Sequence, residues 1–409
     1  MLKITTNPNL KMHFRDEDVA ASFAKLLARK DLGFLNLPND QESLAKSSAL
    51  GSQISANYEH LVLVGIGGSS MGPRALAEIS GSTKISFLDN VDSMETEAVI
   101  ANLKNLSKTA WLFISKSGTT IEVLWTLELA EQIYRQHNTE FFPHTFYITE
   151  DTDNTLNNLA KKHQRPRLAI PLDVGGRFSV LSPVGLVIAQ YLDRSPKLLL
   201  EGAREALQAR ELLITSVNQY LSSFERNEVI TLFWFYSSRM RWFGCWLQQL
   251  WAESLGKKET IDGKTAPHFS SPMISIGTCD QHSILQQIME GPKNKFVNIF
   301  RFLDVEKSKH KIKTTQFAET KLLENLNFGE LIKAEAVATE MALQSTALST
   351  TSFELIDHGD KSLGFLFMFY QLLVATIGEH TRINAFNQPS VALSKKLTLE
   401  LLKKLKPKL

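Results

Sequence analysis

One repeated unit constrains this chain most: a short apolar run stops in a small, polar turn, and a helical pattern follows. Ala110-Trp111-Leu112-Phe113-Ile114 is short, apolar and aromatic-rich, which predicts a buried strand. It ends in Ser115-Lys116-Ser117-Gly118-Thr119-Thr120, a turn of four hydroxyls, one glycine and one cation. Ile121, Val123, Leu124, Leu127 and Leu129 then supply apolar positions of a helix. A strand entering a helix through such a turn leaves backbone N–H groups free at the helix N-terminus, a place suited to a phosphate monoester. An ordinary N-capped polar turn fits the same residues, because Ser and Thr are favoured caps.

The unit recurs. Leu61-Val62-Leu63-Val64 runs into Gly65-Ile66-Gly67-Gly68-Ser69-Ser70, and a helical stretch follows through Pro73 and Ala77. Glycines let a backbone approach a ligand closely. The loop is not the dinucleotide fingerprint, because Ser70 stands where the third glycine is required. Lys84–Asp89, Thr145–Thr149 and Leu168–Pro171 read as further strands. Strands alternating with helices predict an α/β fold with a mainly parallel sheet. In such a sheet the loops at Gly65 and Ser115 share the carboxyl edge, where ligands bind. A second rhythm begins at Val229–Phe235 and continues through a helix from about Arg239 to Leu255. Ile274–Ile276, Phe296–Phe300 and Phe353–Ile356 follow as strands. The expected organisation is an N-terminal helical segment (1–57), a first α/β unit (58–194), a polar helical bridge (195–226), a second unit (227–380), and a C-terminal loop with a helical tail (381–409).

Two charged residues stand out. Arg177 follows Gly175-Gly176, so an unencumbered backbone carries a guanidinium able to face a developing oxyanion. A salt-bridged surface turn is the plainer alternative. Gln249, Glu253 and Lys257 are spaced by four and share one helix face. Trp246, Leu250, Trp251 and Leu255 add apolar bulk around them, which would strip water from the carboxylate. An ordinary Glu–Lys pair on a surface helix also fits.

Composition removes several classes. A net charge of +2 over 409 residues gives no global basic field, so nucleic acid is not an expected partner. The lysines from Lys395 to Lys408 read as a solvated helix face. Cys245 and Cys279 cannot build a disulfide framework or a metal site, and suit a reducing compartment. The N-terminus lacks the apolar core of a signal peptide. Ser362–Gly378 is too short for a comfortable membrane span and contains Tyr370 and Gln371, so a buried core helix is expected there. A cytoplasmic protein without a membrane partner follows as the expectation.

Taken together, G-I-G-G-S-S-M-G-P from Gly65, S-K-S-G-T-T from Ser115, G-G-R-F-S-V-L-S from Gly175, A-E-S-L-G-K from Ala252, G-T-C-D-Q-H-S from Gly277 and N-Q-P-S-V-A-L-S-K from Asn387 resemble the phosphoglucose isomerase family. Each motif is modest, but their joint order is specific and covers most of the chain. The resemblance implies two sugar-isomerase (SIS) domains, each an α-β-α sandwich, and interconversion of glucose 6-phosphate and fructose 6-phosphate without cofactor or metal. By position, it implies that Ser69, Ser115, Lys116, Ser117 and Thr120 bind the phosphate, and that Gly68, Gln249 and Gln388 contact substrate. Glu253 resembles the base, Arg177 the group that stabilises the enediolate, and His282 the ring-opening histidine supplied by the neighbouring subunit of a homodimer. Lys395 resembles the lysine that assists ring opening, with Lys396 beside it as the alternative, and Glu122 is assigned to orient the histidine. Ala392, Ser394 and Asn387 depart from the Glu, Gly and Asp common in the family, so the last motif matches least.

The chemistry needs these residue types on its own account. One carboxylate can both remove and return a proton between adjacent carbons, the intermediate requires a fixed cation, and ring opening suits a histidine. Two rivals remain at this level. An isomerase that also accepts mannose 6-phosphate would need the same groups. A non-catalytic SIS-domain sensor would keep the hydroxyl loop but not Glu253, Arg177 and His282 together.

Overall fold

The computed structural model describes residues 2–6, 10, 12–346 and 348–405. The chain begins with β1 (Leu2–Thr6), α1 (Asp16–Leu27) and α2 (Gln41–Asn57). A first α/β run follows: β2 (His60–Val64), α3 (Met71–Ser80), β3 (Ile85–Leu88), α4 (Ser93–Ala101), β4 (Thr109–Ile114), α5 (Ile121–Gln136), β5 (Thr145–Glu150), α6 (Thr155–Lys162), β6 (Arg167–Ile170) and α7 (Pro183–Tyr191). After α8 (Pro196–Gln208) and α9 (Arg210–Glu225) comes the second: β7 (Ile230–Phe235), α10 (Arg241–Leu255), β8 (Ser271–Ile276), α11 (Leu285–Glu290), β9 (Lys295–Phe302), α12 (Phe328–Gln344), β10 (Ser349–Leu355) and α13 (Asp360–Thr381). The helix α14 (Val391–Leu405) ends the described chain.

The first run forms a parallel sheet in the order β3-β2-β4-β5-β6. The second sheet has the order β1-β10-β9-β7-β8 and is parallel except where β1 pairs antiparallel with β10. Both sheets have two covered faces, which is why their strands read as continuous apolar runs. Leu61, Leu63, Leu112 and Ile114 point into one core, while Val62, Val64, Trp111 and Phe113 point into another with Val123 and Leu127 of α5. In β7 the same alternation sends Phe233 and Phe235 one way, and Leu232 and Trp234 the other. The first of these cores is shared by both sheets and also contains α2, α7, α8, α9, α10 and α13.

Two expectations need correction. The N-terminal segment is helical only from Asp16; residues 2–6 form an edge strand of the distant second sheet. Pairing with β10 fixes that segment, and no local pattern announces it. The stretch 195–226 is helical as expected but is not a polar bridge. Leu199, Leu200, Ala203, Leu213, Val217 and Tyr220 are buried in the shared core, and α8 packs along α13. The charged residues between them occupy the outer helix faces, as an amphipathic helix requires.

The helix α13 is long and apolar enough to cross a membrane by length and composition, yet Ser362–Gly378 is buried within the protein. By contrast α14 buries nothing, so Lys395, Lys396, Lys403 and Lys404 are solvated as expected. Lys406 and Lys408 lie outside the described residues.

Candidate active site

Strands β2 and β4 are neighbours, with Val64 opposite Phe113, so the Gly65–Ser70 and Ser115–Thr120 loops leave one carboxyl edge together. Gly118 has a left-handed φ of +64°, and a Cβ there would collide with Asn154 Oδ1, so only glycine fits this turn. Ser115 Oγ lies 2.7 Å from Thr120 Oγ1. Thr120 is the N-cap residue, but no side chain caps α5. The first-turn N–H groups of a 16-residue helix are therefore open to an anion. Ser117 Oγ accepts from Thr119 N at 3.3 Å, and Lys116 Nζ lies 3.3 Å from Glu150 Oε1. Ser69 ends the short turn Gly67–Ser69 of the other loop.

That turn is pressed against the segment carrying Arg177. A Cβ on Gly68 would collide with Gly176 O and lie 2.8 Å from Arg177 N. Gly67 faces the end of Gln249, whose Nε2 would be 2.9 Å from an added Cβ. Close backbone packing thus joins the Gly65–Ser70 loop, Arg177 and α10 at one place.

Arg177 is the centre of the cluster, its side chain only 2% exposed. Its Nε donates to Ser254 Oγ at 2.8 Å. Nη1 donates to Glu253 Oε2 and to Gln388 Oε1, each at 3.1 Å. Nη2 donates to the carbonyls of Ala385 and Asn387. The five N–H groups of the guanidinium therefore meet five acceptors. Burial pulls the Arg177 pKa down, while the charge of Glu253 and their hydrogen bond push it up.

The Glu253 carboxylate also accepts from Gln249 Nε2 at 3.0 Å on Oε1. Its side chain is 35% exposed and lines a cleft of about 720 Å³ walled by Lys257, Asn387, Gln388, Ser390 and Val391 as well. The indoles do not surround it. Trp251 packs on Tyr220 and Phe233 and donates to Ser270 O, and Trp246 packs on Phe367. Nor does Glu253 form a side-chain pair with Lys257. Lys257 Nζ donates instead to the Glu253 main-chain carbonyl and to Asn387 O, the latter at 2.6 Å. Burial, and then the nearby Arg177 charge, lower the Lys257 pKa to about 8, against the opposing pull of Glu253.

Three assigned residues stand outside this cluster within the single chain. His282 is exposed in the turn Cys279–His282 after β8. That turn is well anchored: Asp280 Oδ2 accepts from Ile276 N at 2.6 Å, and Gln281 Nε2 donates to Tyr236 OH at 2.8 Å. Lys395 is exposed on α14 and does not line the cleft, and Lys396 lies 4.0 Å from Glu400. Glu122 sits in the first turn of α5, and its carboxylate contacts no histidine among the described residues.

Sequence reasoning missed Ser254, the carbonyls of Ala385 and Asn387, and the true partners of Lys257. Ser254 follows Glu253 directly, so a signal was present. Main-chain carbonyls leave no trace in side-chain chemistry.

Over most of its length the chain is similar to known proteins. The sequence model of the family described as phosphoglucose isomerase matches residues 44–409. A probable glucose-6-phosphate isomerase of Methanococcus maripaludis is 33% identical over 94% of this chain and 88% of its own length. A glucose-6-phosphate isomerase of Campylobacter jejuni is 33% identical over 89% and 90%. Among solved structures, a hypothetical protein of Thermus thermophilus superposes with a TM-score of 0.89 at 28% identity, covering 98% of this chain and all of that one. A glucose-6-phosphate isomerase of Chlamydia trachomatis shares the fold with a TM-score of 0.77 at 23% identity, over 95% and 78%. The two α-β-α units are the SIS fold of phosphosugar isomerases. Ordered motifs, two such units and a carboxylate–guanidinium pair beside a glycine-rich loop meet in one chain, and that chain belongs to the phosphoglucose isomerase family.

Proposed function

We propose that Glu253 is the base of an aldose–ketose isomerisation and that Arg177 answers the charge it creates. Membership of the family over residues 44–409 carries the reaction itself, the interconversion of glucose 6-phosphate and fructose 6-phosphate in glycolysis. The observation that supports the residue assignment is the 3.1 Å contact between Arg177 Nη1 and a carboxylate that also lines the main cleft.

In this reading the phosphate docks on Ser69, Ser115, Lys116, Ser117, Thr120 and the open N-terminus of α5, and Gly68, Gln249 and Gln388 contact the sugar. The ring opens by proton transfer to the ring oxygen and from the anomeric hydroxyl, with His282 and Lys395 in those roles. Glu253 then takes the C2 proton, giving a cis-enediol(ate), and returns it to C1. Protonation of Glu253 weakens its bond with Nη1, because a neutral acid accepts less strongly than a carboxylate. An Nη1–H is thereby released just as the enediolate oxygen needs a donor. Gln249 holds the second carboxylate oxygen, which keeps Glu253 aimed while it is charged.

His282 and Lys395 both stand apart from the cluster in a single chain, and a homodimer in which the partner supplies His282 belongs to the same proposal. The anchored, outward turn at Cys279–His282 supports it. The cytoplasm remains the proposed location, resting on the two free cysteines. The domain boundaries 58–194 and 227–380 are proposed with them, each sheet falling within one of these ranges apart from β1.

The direct test is interconversion of glucose 6-phosphate and fructose 6-phosphate, with mannose 6-phosphate alongside. His282→Ala is expected to slow turnover of cyclic substrate by about 10²-fold. It should spare C2 proton exchange on a four-carbon sugar phosphate that cannot close a ring. Equal losses on both would remove the ring-opening role. Mixing Glu253→Gln and His282→Ala chains should restore part of the activity, and no recovery would exclude a shared site.

A further inference from the structure

The loop of residues 382–390 must be held against α10 for Arg177 and Gln388 to stay beside Glu253. Within it, the Asn387 carbonyl receives two cations. Arg177 Nη2 reaches it at 3.3 Å, and Lys257 Nζ at 2.6 Å. Lys257 also donates to the main-chain carbonyl of Glu253 itself. One ammonium therefore bridges the last turn of α10 and the loop, directly behind the carboxylate.

We propose that Lys257 is a positioning residue for the isomerisation, clamping the 384–388 loop to the end of α10 so that Gln388 and Arg177 stay in register with Glu253. The proposal rests on the reading of Glu253 as the base.

The clamp is strong while charged, because hydrogen bonds from an ammonium are about twice as strong as neutral ones. Its charge is nevertheless poorly housed. Burial and Arg177 oppose it, Glu253 favours it, and the adjacent Lys258 and Glu259 are exposed. Residues 383–390 carry no charged side chain. The Lys257 pKa of about 8 lies below its ordinary value of 10.5. Between those values the unfolded chain holds a proton that the folded chain has released, so folding stability rises with pH there. The fold is thus better off without this charge, while the loop is held by it. Stability and activity should part company at this residue.

The test is to compare Lys257→Met and Lys257→Arg with the unsubstituted protein, measuring kcat, KM and Tm from pH 6 to 10 on fructose 6-phosphate. For Lys257→Met, kcat is expected to fall about 10- to 100-fold, the effect of a small misplacement of catalytic groups. Its Tm at pH 7 should be unchanged or raised. In the unsubstituted protein kcat should decline as pH rises through about 8. Lys257→Arg should keep most of the activity at pH 7 and lose that decline, because a guanidinium stays charged. The proposal fails if Lys257→Met keeps kcat within about twofold. It also fails if Tm and kcat fall together without rescue by arginine, or if Lys257→Arg keeps the alkaline decline. Glu253→Gln is assayed in parallel. Activity in that variant would sink the base assignment, whatever Lys257 shows.

Discussion

Glu253→Gln is expected to keep sugar-phosphate affinity and to lower kcat by at least about 10²–10⁴-fold, the range supplied by positioned acid–base catalysis. The amide preserves volume and can still accept from Gln249, so the loops at Ser69 and Ser115, to which the phosphate is assigned, are untouched. What disappears is the carboxylate placed on the cleft wall beside Arg177. Stability should fall modestly, by about 1 kcal/mol, because Arg177 loses a charged acceptor but keeps four others. The Glu253 side chain is 35% exposed, so water tempers that loss. Calorimetric binding of fructose 6-phosphate, with steady-state turnover on the same preparation, separates the two effects. Retained turnover would reassign the base.

Arg177→Ala is expected to damage fold and catalysis together. The guanidinium is buried and meets acceptors from two separate segments, α10 and the loop after α13. Removing one partner of a buried pair costs about 3–5 kcal/mol, and the carbonyls of Ala385 and Asn387 lose a donor as well. A kcat loss of about 10²–10³-fold should accompany it, as for deletion of an oxyanion donor. Lysine should not rescue the site, because a single ammonium cannot span this fork of acceptors. Chemical denaturation gives the first quantity and steady-state kinetics the second. A stable variant of full activity would deny Arg177 both roles.

Much of the fold could be read in advance where local rules govern it. The strands at Leu61, Ala110, Thr145, Val229 and Phe296 announce themselves because both sheet faces are buried, which leaves unbroken apolar runs. The hydroxyl turn at Ser115 and the glycines at 67 and 68 are local backbone requirements. Two readings went astray for the same reason. Residues 2–6 have no neighbour in sequence to declare them a strand, since β10 lies at the other end of the chain. The helices from Pro196 to Glu225 look polar in composition, but their apolar positions gather on one face and enter the shared core.

The site divides along the same line. Residue types and their order, in motifs that begin between Gly65 and Asn387, determined the family and the α/β units, and marked Glu253 and Arg177 as candidates. Tertiary structure alone decided that Arg177 meets Glu253 across 76 positions and Gln388 across 211. It also decided that Gly68 seats against Gly176, and that Lys257 clasps two main-chain carbonyls rather than the Glu253 carboxylate. Local propensity acts over a few residues of chain. These contacts are set by which surfaces the packed core brings together, and main-chain carbonyls, the partners that matter most here, are the same in every sequence.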